Sequence, residues 1–485
     1  MVICQIFKAV IFAFSDQMVN IFLLLIPWFV YNSDGESPAD HSLFMTIKAH
    51  HGEILHCLED PSSGDDGAWE YLKDGILIVE DGYVSGCGSA ADMWAEVRKA
   101  ATDIEIIEHP NGLIIPGMID THTHFPQCEI IASYGTQLIE WLETYTFPVE
   151  MGFSDSQKSH RIAKFFLREL LRNGTTTALV FGTVHSQSVD AFFEEAQQFN
   201  QRMICGKVMM DRHAPDGLLD TPESGYTQSA DLIKRWHGKG RLGYAVTPRF
   251  APTSTSEQLT MAGKLVENFP GVHLHTHLSE NLRECQWVKE LFPSCEDYLD
   301  VYDRHGLLGR RSVFAHGIHL CEREWNRLAH SGSNLSFCPT SNLFIGSGLF
   351  DLNSADKYGV RIGLGTDIGG GDSLSLLRTI NEAYKVQQLK GNHLAPMRSF
   401  YLATLGGART LDLDSSIGNF EIGKEADFVV LDYASTPLIE MRCAGNRSIQ
   451  EKLFVLEMLG DDRAVRETWV MGECQYRKAV EIKSH

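Results

Sequence analysis

Two histidines separated by one threonine, His122 and His124, lie near the end of the apolar stretch "IIPGMIDTHTHFPQ". On an extended strand successive side chains alternate, so Asp120, His122 and His124 share one face while Thr121 and Thr123 take the other. Two imidazoles one pleat apart can converge on a single ion. Zinc accepts histidine nitrogens at about 2.0–2.1 Å, and a catalytic site needs three or four protein ligands with a position left for water. A lone His-x-His is also a common way for a strand to end. Ligands elsewhere in the chain must decide.

The elements that could position such ligands are legible from Ile115 onward, where short apolar runs alternate with amphipathic segments, the pattern of parallel βαβ units. "LIIPGMIDTHTH" reads as the first strand. "TTTALVFGT", "MICGKVMMD", "LGYAVTPRF", "VHLHTHLSE", "SVFAHGIHL", "NLSFCPTSN" and "VRIGLGTD" follow. Between them "SQKSHRIAKFFLRELLRNG" and "SEQLTMAGKLVENFPG" read as helices, the second with an N-cap at Ser256 and a stop at Gly271. Eight strands close a TIM-type (β/α)8 barrel, whose chemistry gathers at the C-terminal strand ends. Those ends carry His122 and His124 on strand one, His277 on strand five, His316 on strand six and Asp367 on strand eight. A lone histidine is ordinarily packing or surface; this many at one rim is not. His273 and His275 share the face of His277 but lie deeper, which assigns them to packing. His319 has the wrong parity for the site, and His185 reads as a solvated loop residue.

The 485 residues carry a formal charge of −21, which argues against nucleic acid or an anionic membrane as partner. Eleven cysteines without any Cys-x-x-Cys suggest reduced thiols in the cytoplasm. Residues 1–44 differ from the rest: "MVICQIFKAVIFAF" and "VNIFLLLIPWFVY" are each shorter than the roughly 20 residues of a spanning helix. A secretory signal would want a basic start and a small-residue cleavage site. Translation from Met45 is the reading adopted for this extension, with signal and anchor as its alternatives.

"PGMIDTHTH", "HTHLSEN", "FAHGIHL" and "GLGTDIGGG", in that order, resemble the amidohydrolase superfamily. "LRNGTTTALVFGTVH", "VTPRFAPTS", "CPTSNLFIGSGLF", "YLATLGGA" and "IGNFEIGKEADFVV" narrow the likeness to its guanine deaminase family, over about Met45 to Arg477. The resemblance implies one zinc per chain held by His122, His124, His277 and Asp367, with His316 beside the attacking water. Relatives with two metals use a lysine at the end of strand four, and "YAVTPRFAPT" has none. It further implies a barrel over 113–410 and a small β-sandwich built from 45–112 and 411–485. The β-rich "GILIVEDGYVSGCG" and "ADFVVLDY" agree.

The implied chemistry is hydrolysis of guanine at C2, releasing ammonia and leaving xanthine. Glu280, three residues past His277, would protonate N3, although in isolation it reads as a helix cap. Asp367 would accept a proton from water, and His316 would steady the developing charge. Arg249, a fork of donors, suits the guanine O6; Phe250 would stack on the purine; Gln127 would meet the ring edge. A salt-bridged arginine and a core phenylalanine are the plain alternatives. Another heterocycle hydrolase of the same superfamily, or a non-catalytic barrel, are the rival functions. No stable membrane partner is expected, and a homodimer is the expected assembly.

Overall fold

The computed structural model describes residues 47–64, 66–99, 104–135 and 137–479. The N-terminal extension and its readings lie outside them. Four strands come first: β1 (Ile47–Cys57), β2 (Trp69–Glu80), β3 (Tyr83–Ser89) and β4 (Ile104–Pro116). The barrel strands are β5 (Met118–His124), β6 (Thr175–Phe181), β7 (Arg202–Gly206), the short β8 (Val208–Met209), β9 (Gly243–Pro248), β10 (His273–Leu278), β11 (Ser312–His316), β12 (Asn334–Phe337) and β13 (Ile362–Leu364). β14 (Phe428–Asp432), β15 (Val465–Val470) and β16 (Glu473–Arg477) complete the set.

Strand order β13-β12-β11-β10-β9-β7-β6-β5 gives the expected parallel barrel. Its seam lies between β5 and β13, where hydrogen bonds replace a regular ladder. Thr121 Oγ1 donates to the Leu364 carbonyl at 3.0 Å, and the Asp367 amide donates to the His122 carbonyl at 2.9 Å. Gly365 permits this approach, since a Cβ there would sit 2.9 Å from the His122 Cβ. The seam therefore brings strand one and strand eight, and with them three of the four expected ligands, into register.

The remaining strands form one mixed sheet, β16-β15-β14-β4-β1-β2-β3, in which the two flanks of the chain meet: β14 pairs antiparallel with β4, and β4 runs parallel to β1. Ile54, Leu77, Ile114, Phe428, Val430 and Trp469 supply its buried core. Arg241 ties it to the barrel by donating to Glu425 and Asp427.

Some local expectations need correcting. The single strand expected from Leu113 to His124 is two: β4 ends at Pro116, Gly117 turns the chain from one sheet to the other, and β5 begins at Met118. The third barrel strand is interrupted at Lys207, whose ammonium is buried against Asp220. The helix Ser256–Asn268 is capped by Thr255, whose side chain accepts from the Gln258 amide, one residue before the expected Ser256. Helix Ser156–Arg172 forms as expected, because Ile162, Phe166, Leu167, Leu170 and Leu171 share one buried stripe.

Candidate active site

At the C-terminal rim, three imidazole Nε2 atoms and one carboxylate oxygen converge. His124 Nε2 lies 3.2 Å from His122 Nε2 and 3.3 Å from His277 Nε2. Asp367 Oδ1 lies 3.1 Å from His122 Nε2 and 3.2 Å from His124 Nε2. All four ligand atoms fall within 4.8 Å of one another. The other ring nitrogens explain why Nε2 is the one presented. His277 Nδ1 donates to the Arg249 carbonyl at 2.6 Å, and His122 Nδ1 meets His275 Nε2 at 2.7 Å. With both Nδ1 atoms engaged outward, the Nε2 atoms face one another inward, an arrangement that a bound cation makes favourable.

The protonation states agree with this. Burial lowers His124 to about 4 and holds His277 well below its ordinary range, so both rings are neutral at pH 7. Burial alone would raise Asp367, but His122 and its neighbours hold it well below the usual carboxylate range. A second grouping, Asp297, Cys321 and Glu324, is already engaged: Glu324 accepts from the Leu299 and Cys321 amides, and Arg323 donates to Asp297.

Above the cluster is a cavity lined by His124, His277 and Asp367 together with Gln127, Arg249 and Phe250. Glu280 and His316 line it as well. His122 lies beneath, fully buried. The structure thus brings all the residues singled out for catalysis and binding to one place. Backbone strain helps to aim two of them. His316 and Asp367 have φ of 72° and 48°, a left-handed region that non-glycine residues occupy at a cost of order 1–3 kcal/mol.

Glu280 Oε2 lies 3.3 Å from His316 Nε2, and Ser347 Oγ donates to Glu280 Oε1 at 3.0 Å. Burial, then the charges of Asp367 and Glu284, push Glu280 well above the usual carboxylate range, which favours its protonated form. Asn342 Nδ2 donates to His316 Nδ1 at 2.9 Å, which places the His316 proton on Nε2, facing Glu280. Burial lowers His316 to about 3 and keeps it neutral.

Arg249 combines the two readings given to it. It lines the cavity and is also salt-bridged, with Nη1 donating to Glu150 Oε2 at 2.7 Å and Nη2 to Glu150 Oε1 at 3.2 Å. Phe250 lines the cavity next to it. His275 does more than pack, since its Nε2 holds the His122 ring through Nδ1 at 2.7 Å. His273 bonds the Leu411 carbonyl, deeper in the barrel. His319 bonds the Ser347 carbonyl and does not line the cavity. His185 is half-buried at the start of a helix, with Nε2 shielded from water, so the solvated role expected of it is not met. Sequence reasoning missed Glu150, Asn342 and Ser347. Of these, only Glu150 carried a signal: an acid set in the apolar run "TFPVEMGF".

A model of the amidohydrolase family matches residues 113–474. A guanine deaminase of Escherichia coli (strain K12) is 50% identical over 436 residues, covering 89% of this chain and 98% of the relative. The chain belongs to the guanine deaminases of the amidohydrolase family. Solved structures agree. E. coli guanine deaminase matches with a TM-score of 0.86 at 50% identity over 89% of this chain and 100% of its own. Guanine deaminase from C. acetobutylicum with bound guanine in the active site matches at 0.80 and 28% identity, over 89% and 100%. The family is typically metal-dependent, and the four converging donors are a candidate site for its metal.

Proposed function

We propose that this chain hydrolyses guanine to xanthine and ammonia, using one zinc ion held by His122, His124, His277 and Asp367. The observation that carries the reading is one cavity with this donor cluster as its floor, a buried carboxyl, Glu280, on its wall, and the Arg249 fork beside them. Zinc, when bound, lowers the pKa of water from 15.7 toward about 7, so that a nucleophile exists at neutral pH.

The chain's own residues do the rest. Arg249 and Gln127 hold the purine edge, and Phe250 offers a ring face to stack on. Glu280 delivers its proton to N3, which makes C2 electrophilic. Asp367 accepts the proton of the attacking water, and the His316 Nε2–H is placed to donate to the oxygen on which charge develops. Asp367 passes its proton to the exocyclic amine, the C2 hydroxyl returns one to Glu280, and collapse expels the amine as ammonia. Adenine carries an amine where guanine carries O6, so its donors would meet the donors of Arg249. We further take the catalytic barrel, expected from 113, to begin past the Gly117 turn and run to 410, with 45–116 and 411–485 as the accessory flanks, and the enzyme as a cytoplasmic homodimer. The described cysteines are unpaired, as the cytoplasm favours.

Ammonia release from a panel of aminopurines and aminopyrimidines, on protein of known metal content, tests this. The expected result is guanine turnover, with adenine slower by at least ~10⁴-fold because its binding leaves buried donors unpaired. Comparable turnover of adenine, or none of guanine, would overturn the reading.

A further inference from the structure

Glu150 is not part of the metal cluster, yet it touches both polar groups assigned to the base. Its carboxylate is fully buried and accepts from three donors: Nη1 and Nη2 of Arg249, and Gln127 Nε2 at 3.1 Å. It reaches them from the segment between barrel strand β5 and the first long outer helix, where a π-helical turn, Leu142–Thr146, precedes the short helix Phe147–Met151. The same segment lines the cavity with Leu138, Trp141 and Leu142, and lays Phe147 under the guanidinium at 5.4 Å. Single π-helical turns often mark functional positions.

Resting on the guanine reading above, we propose that Glu150 is a positioning residue that writes the hydrogen-bond pattern of the base pocket and cancels its positive charge, so that neutral guanine is held and the anion of xanthine is released. The pattern follows from donor arithmetic. A carboxylate only accepts, so the Gln127 amide must turn its NH2 toward Glu150, and its Oε1 becomes the acceptor left for a ring N–H. Gly369 leaves room for that orientation, because a Cβ there would lie 1.9 Å from Oε1. Both terminal nitrogens of Arg249 are gripped end-on, which leaves their outer N–H groups and Nε for O6.

The charge argument concerns the product. Xanthine is a weak acid that ionises near neutral pH, whereas guanine there is neutral. A buried guanidinium without a counter-charge would retain the xanthine anion, since Coulomb attraction is strong away from water. The charged and titratable groups around the cavity are Arg249 and Glu150 on one wall, Glu280, Asp367, His124, His277 and His316 on the other, and His185, which feels the Glu150 charge from the β6 end. Of these, only Glu150 pairs with Arg249.

Guanine kinetics and inhibition by xanthine, at pH 6.5 and 8.5, on wild-type, Glu150→Gln and Glu150→Asp proteins test the proposal. In Glu150→Gln the guanine KM should rise ~10–100-fold with kcat within ~5-fold, because the lost contacts act on binding. Xanthine inhibition should tighten between the two pH values ~10-fold more in Glu150→Gln than in wild type, an effect the metal's own charge cannot cause because it is common to both. Glu150→Asp keeps the charge but shortens the reach, so its guanine KM should rise while its xanthine pH response stays that of wild type. This variant carries the test if the glutamine form does not fold. An unchanged guanine KM in either variant, or a Glu150→Gln xanthine response within ~2-fold of wild type, would overturn the proposal. A wild-type protein that releases no ammonia from guanine would defeat the underlying reading instead, and is seen in the same assay.

Discussion

Glu280→Gln separates proton transfer from metal binding. The substitution preserves the volume of a side chain that is 2% exposed and keeps an oxygen able to accept from Ser347. The backbone amide of residue 280 remains bonded to Glu284 Oε2 at 2.9 Å, so the loop stays in place. None of the four converging ligand atoms belongs to Glu280, so zinc content should not change. What is lost is the proton. General acid–base catalysis contributes ~10²–10⁴-fold, equivalent to about 2.7–5.4 kcal/mol on the barrier. We expect kcat for guanine to fall by that factor with KM changed far less. The pH profile gives a second readout. An acid whose pKa is raised is active below that pKa and lost above it, so the alkaline limb of kcat/KM in wild type should flatten in the variant. Stopped assays of xanthine formation with metal analysis on the same samples suffice. A zinc-replete Glu280→Gln protein with wild-type turnover would refute the reasoning and leave proton transfer to Asp367 alone.

Other outcomes follow from the same contacts. His275→Leu should weaken metal binding ~10–100-fold, measured by competition with a chelator, because His122 loses the partner that holds its ring through Nδ1; His275→Asn should recover part of it. Glu457, buried with one bond from Ser399 and one unpartnered oxygen, is raised well above the usual range by burial. The native state therefore holds its proton where the unfolded chain has released it. Stability is unaffected below the unfolded pKa and falls as pH rises through it, by up to ~1.4 kcal/mol per pH unit until the folded pKa is reached. Melting curves of Glu457→Gln should gain on wild type between pH 5 and 7, and a constant gap would contradict this. A chain beginning at Met45 should match the full-length chain in specific activity and solubility; an insoluble or inactive short form would make the extension part of the fold.

The metal-ligand candidates were readable in sequence because barrel strands are apolar runs whose polar ends stand out, and because the rim rule converts strand ends into neighbours. Asp367 and His122, far apart in sequence, meet for that reason at the β5–β13 seam. What escaped notice depends on geometry that has no period. Glu150 lies on a five-residue helix that follows a π-helical turn, where neither strand alternation nor helical spacing assigns a facing side. His275 was placed correctly on its strand, but nothing in the spacing showed that its ring reaches the layer above. The Gly117 break is hidden because Pro116 and Met118 continue the apolar run, and one glycine is all that marks the passage between sheets.

The measurement that bears most directly on the account is a titration of metal-free protein with zinc, followed by guanine hydrolysis. Four donors and one buried cluster predict that activity rises linearly and saturates at about one zinc per chain, with xanthine and ammonia formed in equal amounts. His277→Ala should neither retain the ion nor turn over guanine. Saturation at two equivalents of equal affinity, or full activity with no metal bound, would contradict the account.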